Sequence, residues 1–105
     1  MTLQQFKDGL EAAVPGLVHE LAGPKGSHRY VCWHRYGGSS TFGDNRNQID
    51  APKVQIDIHT QNVSDTLVED VCAALWVMGL PYSIVSEGYD DDYADLRTIL
   101  QLVVV

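Results

Sequence analysis

The chain has little of several things that would point to a specific chemistry. It has two cysteines, Cys32 and Cys72, and no CxxC, HxxxH or HExxH spacing. A disulfide-stapled fold and the common zinc frameworks therefore find no support. Positive charge is scarce, at seven Lys and Arg against fourteen Asp and Glu, for a net charge of -7. Sequence-independent nucleic-acid binding, which draws its affinity from phosphate neutralisation, is disfavoured. No run approaches the ~20 apolar residues of a membrane-spanning helix, so no membrane partner is expected. The opening residues "MTLQQFKDGL" lack the charged-then-apolar order of a signal peptide, and synthesis in the cytoplasm with reduced thiols is expected. No internal repeat or low-complexity tract is present.

What is there suits one small domain over residues 1–105, with 45% hydrophobic and 20% charged residues, ordinary for a globular fold. Thr2 and Gln5 have the spacing of a capping box. Leu3, Phe6, Leu10 and Ala13 follow at helical spacing, and Pro15–Gly16 ends the element, predicting a helix over 3–14. "LVHEL" at 17–21 reads as a short strand and "AGPKGS" as a turn. "HRYVCWHRY" at 28–36 is rich in aromatic and β-branched residues, as strands are. Its alternation sets Val31 and Trp33 against Tyr30, Cys32 and His34, and neither face is cleanly apolar.

The clearest strand is "PKVQIDIHT", with Val54, Ile56 and Ile58 inward and Gln55, Asp57 and His59 outward. A second helix is expected from Ser64 as its cap, with Leu67, Val68, Val71, Cys72, Leu75 and Met78 as its apolar stripe. "GLP" at 79–81 stops it. "PYSIVSE" and "LRTILQLVVV" read as two closing strands joined by "GYDDDYAD". The order α-(β)-β-β-α-β-β predicts an α+β fold, a mostly antiparallel sheet of four or so strands packed by two helices. Its expected core includes Phe6, Leu10, Val54, Ile56, Ile58, Leu67, Val71, Leu75 and Ile99.

Two segments remain without a place in that core. The loop 37–50, "GGSSTFGDNRNQID", has few side chains to bury, so its ordering would need a partner, with Phe42 as anchor. It lacks the Gly-Lys-Ser/Thr of a phosphate-binding loop and a following helix. The turn 88–95 carries Asp90, Asp91, Asp92 and Asp95. It lacks the glycine and bidentate Glu of a calcium loop, and solvated aspartates do not have the shifted pKa that acid–base catalysis needs. Residues 1–53 hold six of the seven basic residues and five of the acids, whereas 54–105 hold one arginine and nine acids. That split suits loops on opposite faces, or copies attracting one another head to tail.

No catalytic centre, metal site or cofactor is expected. The helix, the segment "WHRYGGSSTFGDNRNQIDAPKVQIDIHTQ", the helix "DTLVEDVCAALWVMGL" and the hairpin "YDDDYADLRTILQLVVV" together resemble the tail terminator (tail completion) proteins of long-tailed phages and prophages. The resemblance lies in the order of elements over most of the chain. It implies a non-catalytic virion subunit that forms a ring, usually hexameric. The ring caps the head-proximal end of the tail tube and joins a head-side neck or connector protein, and DNA passes through it without specific binding. Arg35, Phe42, Arg46, Tyr89, Asp90, Asp91, Asp92 and Tyr93 are the candidate interface residues, chosen by composition. Rival readings are a neck ring protein of the head side, and a small ligand-binding or enzymatic α+β domain, which would need a pocket collecting His34, Asp57 and His59.

Overall fold

The helical and alternating patterns above become, in order, α1 (Leu3–Ala13), β1 (Val18–Glu20), β2 (Tyr30–Gly38), β3 (Pro52–Thr60), α2 (Leu67–Val77), β4 (Tyr82–Asp90) and β5 (Asp95–Val103). These come from a computed structural model that describes residues 1–38 and 51–104. The α+β expectation holds. The sheet has five strands in the order β1-β2-β3-β5-β4, with β1 parallel to β2 and every other pair antiparallel. Phe42 and Arg46 lie outside the described residues.

Local chemistry sets the helix ends. At α1 the capping box forms as its spacing predicts: Thr2 Oγ1 accepts from the Gln5 N–H at 3.1 Å and Gln5 Oε1 accepts from the Thr2 N–H at 2.8 Å. The start of α2 differs from expectation. Asn62 Oδ1 accepts from both the N–H and the hydroxyl of Ser64, which draws Ser64 into a turn. Asp65 Oδ1 instead accepts from the Leu67 N–H at 3.0 Å. At the other end, Gly79 takes φ +73°. The bonds Gly79 N–H to Trp76 O and Leu80 N–H to Leu75 O then close the helix as a Schellman motif, which needs that left-handed residue.

The core lies between the helices and one face of the sheet. Phe6, Leu10, Val54, Ile56, Ile58, Leu67, Val71 and Leu75 are all buried, and Phe6 meets the Trp33 ring edge-on at 5.5 Å. Ile99 does not belong to this core. Register pairs Ile56 with Leu100 and Val54 with Leu102, so β5 turns Leu100 and Leu102 inward and Ile99 pairs with Asp57 on the far face. The run "TILQLVVV" is apolar on both sides at that point, and only pairing with β3 decides which residue points in.

A parallel β1–β2 pair requires a crossover, and residues 21–29 supply it. Gly23 lies against the Tyr30 ring, where a Cβ would collide with it. Part of the face opposite the helices is thereby roofed, which explains why Tyr30 and Cys32 are buried as well as Val31 and Trp33.

Leu75 is fully buried under α2. Leu75→Ala is expected to cost about 2–5 kcal/mol in urea unfolding, the usual range for buried leucine truncation. A loss below ~0.5 kcal/mol, typical of surface positions, would contradict this packing.

Candidate functional site

The face of the sheet turned away from the helices carries a chain of polar contacts running across three strands. Gln101 Nε2 donates to Gln55 Oε1 at 3.2 Å, and Gln55 Nε2 donates to Asp57 Oδ1 at 2.9 Å. Arg97 Nη2 donates to Asp57 Oδ2 at 2.6 Å, and its Nη1 donates to Asp90 Oδ2 at 3.0 Å. Its guanidinium also lies 5.3 Å from the centre of the Tyr93 ring. Burial opposes the charge on Arg97, but the hydrogen bonds to the two carboxylates outweigh it and hold its pKa above the ordinary value. The bond from Arg97 lowers the pKa of Asp90.

Above this ladder sits a histidine–aspartate cluster. Asp95 is 3% exposed and His59 2%, with His59 Nδ1 and Asp95 Oδ1 2.9 Å apart. The Tyr30 ring stacks on His59 at 4.4 Å and Tyr93 tilts over it at 4.9 Å. His28 Nδ1 lies 3.5 Å from Asp95 Oδ2, just beyond a good hydrogen bond, and both atoms are buried without a hydrogen-bond partner. Two sequence expectations change here. His59, read as outward, is sealed by Tyr30, Tyr93 and the crossover. Asp95, read as part of a solvated acidic patch, is buried because it faces that histidine.

A concavity of about 390 Å³ opens beside the cluster, lined by residues 21–28 with Tyr30, Cys32, Asp57, His59, Asp92 and Tyr93. It gathers His59 and Asp57 but not His34. Burial raises the Cys32 thiol pKa, which disfavours the thiolate a nucleophile needs. No group of three His, Cys, Asp or Glu among the described residues is arranged to hold a metal ion. The cluster joins the crossover, β2, β3 and the hairpin into one unit.

The acidic turn is shorter than its sequence suggests, because β4 and β5 pair up to Asp90 and Asp95. Asp90 Oδ1 accepts from the N–H of Asp92 at 2.9 Å and of Tyr93 at 3.4 Å. Asp90 is thus an organiser of the turn. Asp91 and Asp92 remain exposed, as do Tyr89 and Tyr93. Much of the charge split is also consumed inside the chain: Arg29 grips Asp65 through two bonds of 2.8 and 3.1 Å, and Arg97 holds Asp57 and Asp90. Arg35 is exposed and donates from Nε to the Gly37 carbonyl at 3.1 Å.

Sequence reasoning missed a second surface, the margin of the sheet at β4. Residues 82–89 are all exposed, including Tyr82, Ile84, Val85 and Tyr89. Beside this strand, Val68, Cys72 and Trp76 recur every four residues on one side of α2, which places them in a row. The Tyr82 hydroxyl lies near Cys72, whose thiol raises its pKa, so Cys72 is on the side of α2 that faces β4. The one available signal was Trp76, which falls outside the stripe of Leu67, Val71 and Leu75. No family model matches the chain, and no curated protein matches it significantly.

Two outcomes test the polar face. Asp95→Ala leaves His59 buried without its partner and should cost about 1–3 kcal/mol in urea unfolding, whereas Asp91→Ala should stay within ~0.5 kcal/mol; equal effects would contradict the burial difference. The pKa of Asp90 is depressed, so its pairing stabilises above the unfolded aspartate value, ~3.9, and is lost as pH falls through the lower folded value. Arg97→Gln should therefore move the Asp90 carboxyl titration, followed by carbon NMR, up toward the ordinary value. No movement would show that Arg97 does not hold it.

Proposed function

We propose that this protein is a non-catalytic assembly subunit. On this reading it forms a ring at the head-proximal end of a phage tail tube and joins the tube to a head-side neck or connector protein. One observation carries the reading: large apolar side chains are uncovered at the β4 margin and on α2 in a domain whose core is otherwise closed. Tyr82, Ile84, Val85 and Trp76 together make the kind of exposed apolar surface that marks contact with another protein. Among the described residues β4 is a long strand edge without lysine or proline inside it, a kind of edge prone to association. The absent partner is what makes the surface tolerable in a working protein.

The order of elements adds to this, since it is the order in which the chain resembles tail terminator proteins. A ring of about six copies is the form that resemblance implies. The negative net charge of -7, with Asp91 and Asp92 exposed, would let DNA pass without sticking. The polar cluster around His59 serves, on this account, to fix the hairpin rather than to transform a substrate. A ligand-binding reading would rest on the concavity beside His59, and it would require a small molecule to stabilise the protein through that site.

Light scattering after size exclusion, with negative-stain microscopy of the same fractions, tests the proposal. The expected result is rings of uniform diameter that cap one end of isolated tail tubes. A protein that stays monomeric at every concentration, with no binding to tubes, would overturn it.

A further inference from the structure

We infer that neighbouring copies join through two different surfaces, one on each side of the sheet. The trough between Trp76 and Ile84 on the helix side of one copy receives the dish around Lys53 and Tyr36 of the next. This rests on the ring reading and specifies how the ring is closed.

The trough exists because the helix layer is narrower than the sheet. Ile84 pairs with Leu100 across β4 and β5, so both side chains point to the helix side. Yet Leu100 is 0% exposed and Ile84 is 51%. Cover stops at β5. On α2, Trp76 is 84% exposed, whereas Trp33 in the core is 4%. Further along this side, Val68 and Thr98 line a concavity with three carboxylates, Asp65, Glu69 and Glu87, of which Asp65 is already held by Arg29. This surface is apolar at its centre and acidic at its end.

The dish lies on the other side, near the start of β3. It has a volume of about 470 Å³, and among the described residues Tyr36 and Val103 supply apolar walls on this face while Lys53 is its charged member. Lys53 pairs with Val103 in the register of β3 and β5, which fixes both on the face opposite Ile56 and Leu100. Among the described residues this surface is apolar at its centre and basic.

Charge chooses between the ways two copies can meet. Trough against trough would bring the Glu69 and Glu87 pairs of two copies together in a desolvated contact, and dish against dish would oppose two Lys53 ammonium groups. Trough against dish covers both apolar centres and sets the ammonium near the carboxylates, so the charge pattern steers pairing toward that arrangement. Because the two surfaces lie on opposite sides of the sheet, each copy keeps one of each to offer. A contact of this head-to-tail kind repeats, and it makes a ring when the rotation between neighbours closes.

Trp76 and Lys53 are both exposed, so substitutions there leave the core untouched, which circular dichroism checks. Trp76→Arg disables the trough and Lys53→Glu the dish. Each should raise the concentration for half-assembly roughly tenfold or more, as loss of a central interface side chain does. Mixed in equal amounts, the two variants should form one-to-one pairs and nothing larger, since only one intact trough–dish contact remains between them. Glu87→Lys combined with Lys53→Glu should recover assembly relative to Lys53→Glu alone. If the Lys53 variant alone forms pairs as readily as the wild type, the contact is trough on trough and the inference falls. Wild-type rings indifferent to all three changes would sink the inference but leave the ring reading intact. A wild-type monomer at every concentration would remove both.

Discussion

The pairing of β3 with β5 decides most of what this molecule presents. Eight positions are matched from Lys53 with Val103 to Thr60 with Leu96. That single register sends Val54, Ile56, Leu100 and Leu102 under the helices. The same register sends Gln55, Asp57, His59, Arg97 and Gln101 to the other side, where His59 meets Asp95 and the other four bond to one another. A slip of one residue would exchange the two sets, exposing the core and burying the charges. The cost of burying Arg97, Asp57 and Asp95 is offset only because register brings each to a partner of opposite charge or to a ring nitrogen. Core and polar ladder are thus two consequences of one alignment.

From that alignment follows the division of the surface. The crossover and the hairpin turn close over the upper part of the polar face, with Tyr30, His59 and Tyr93 packed ring on ring. Among the described residues, nothing closes over the lower part, near Lys53. On the helix side the two helices cover the sheet only as far as β5, and β4 stands at the margin with apolar residues in view. A neighbouring molecule supplies the missing cover in the account proposed above.

Much of the fold was legible because local signals agreed with the tertiary outcome. The capping box at Thr2, the alternation at 52–60, the Gly79 stop and the stripe of Leu67, Val71 and Leu75 each have one good solution. Other positions were not legible, for physical reasons. Ile99 and Leu100 are equally apolar, and nothing local says which of them points inward. Ser64 is a suitable cap by type, yet Asn62 holds its hydroxyl in the preceding turn and Thr66 occupies the cap position. Asp95 sits in a run of aspartates that reads as solvated, yet it faces a histidine 36 positions earlier in the chain, a distance no pattern of neighbours reports. The exposed margin was hidden for the same reason, since a strand that is apolar in sequence is presumed covered until its neighbours are known. Tyr89, Asp91, Asp92 and Tyr93 keep their place on the surface, while Asp90 is occupied in holding its own turn.

The most direct measurement uses the two tryptophans as opposed reporters, because one lies in the core and the other on the uncovered margin. Acrylamide quenching of tryptophan emission, followed from dilute to concentrated protein, reads whether Trp76 becomes covered while Trp33 serves as the buried reference. The account predicts that dilute protein shows one accessible and one protected tryptophan, and that the accessible one becomes protected as assembly proceeds, with its emission shifting to the blue. An accessible tryptophan that stays equally quenched in the assembled fractions would show that the Trp76 margin is not where the copies meet.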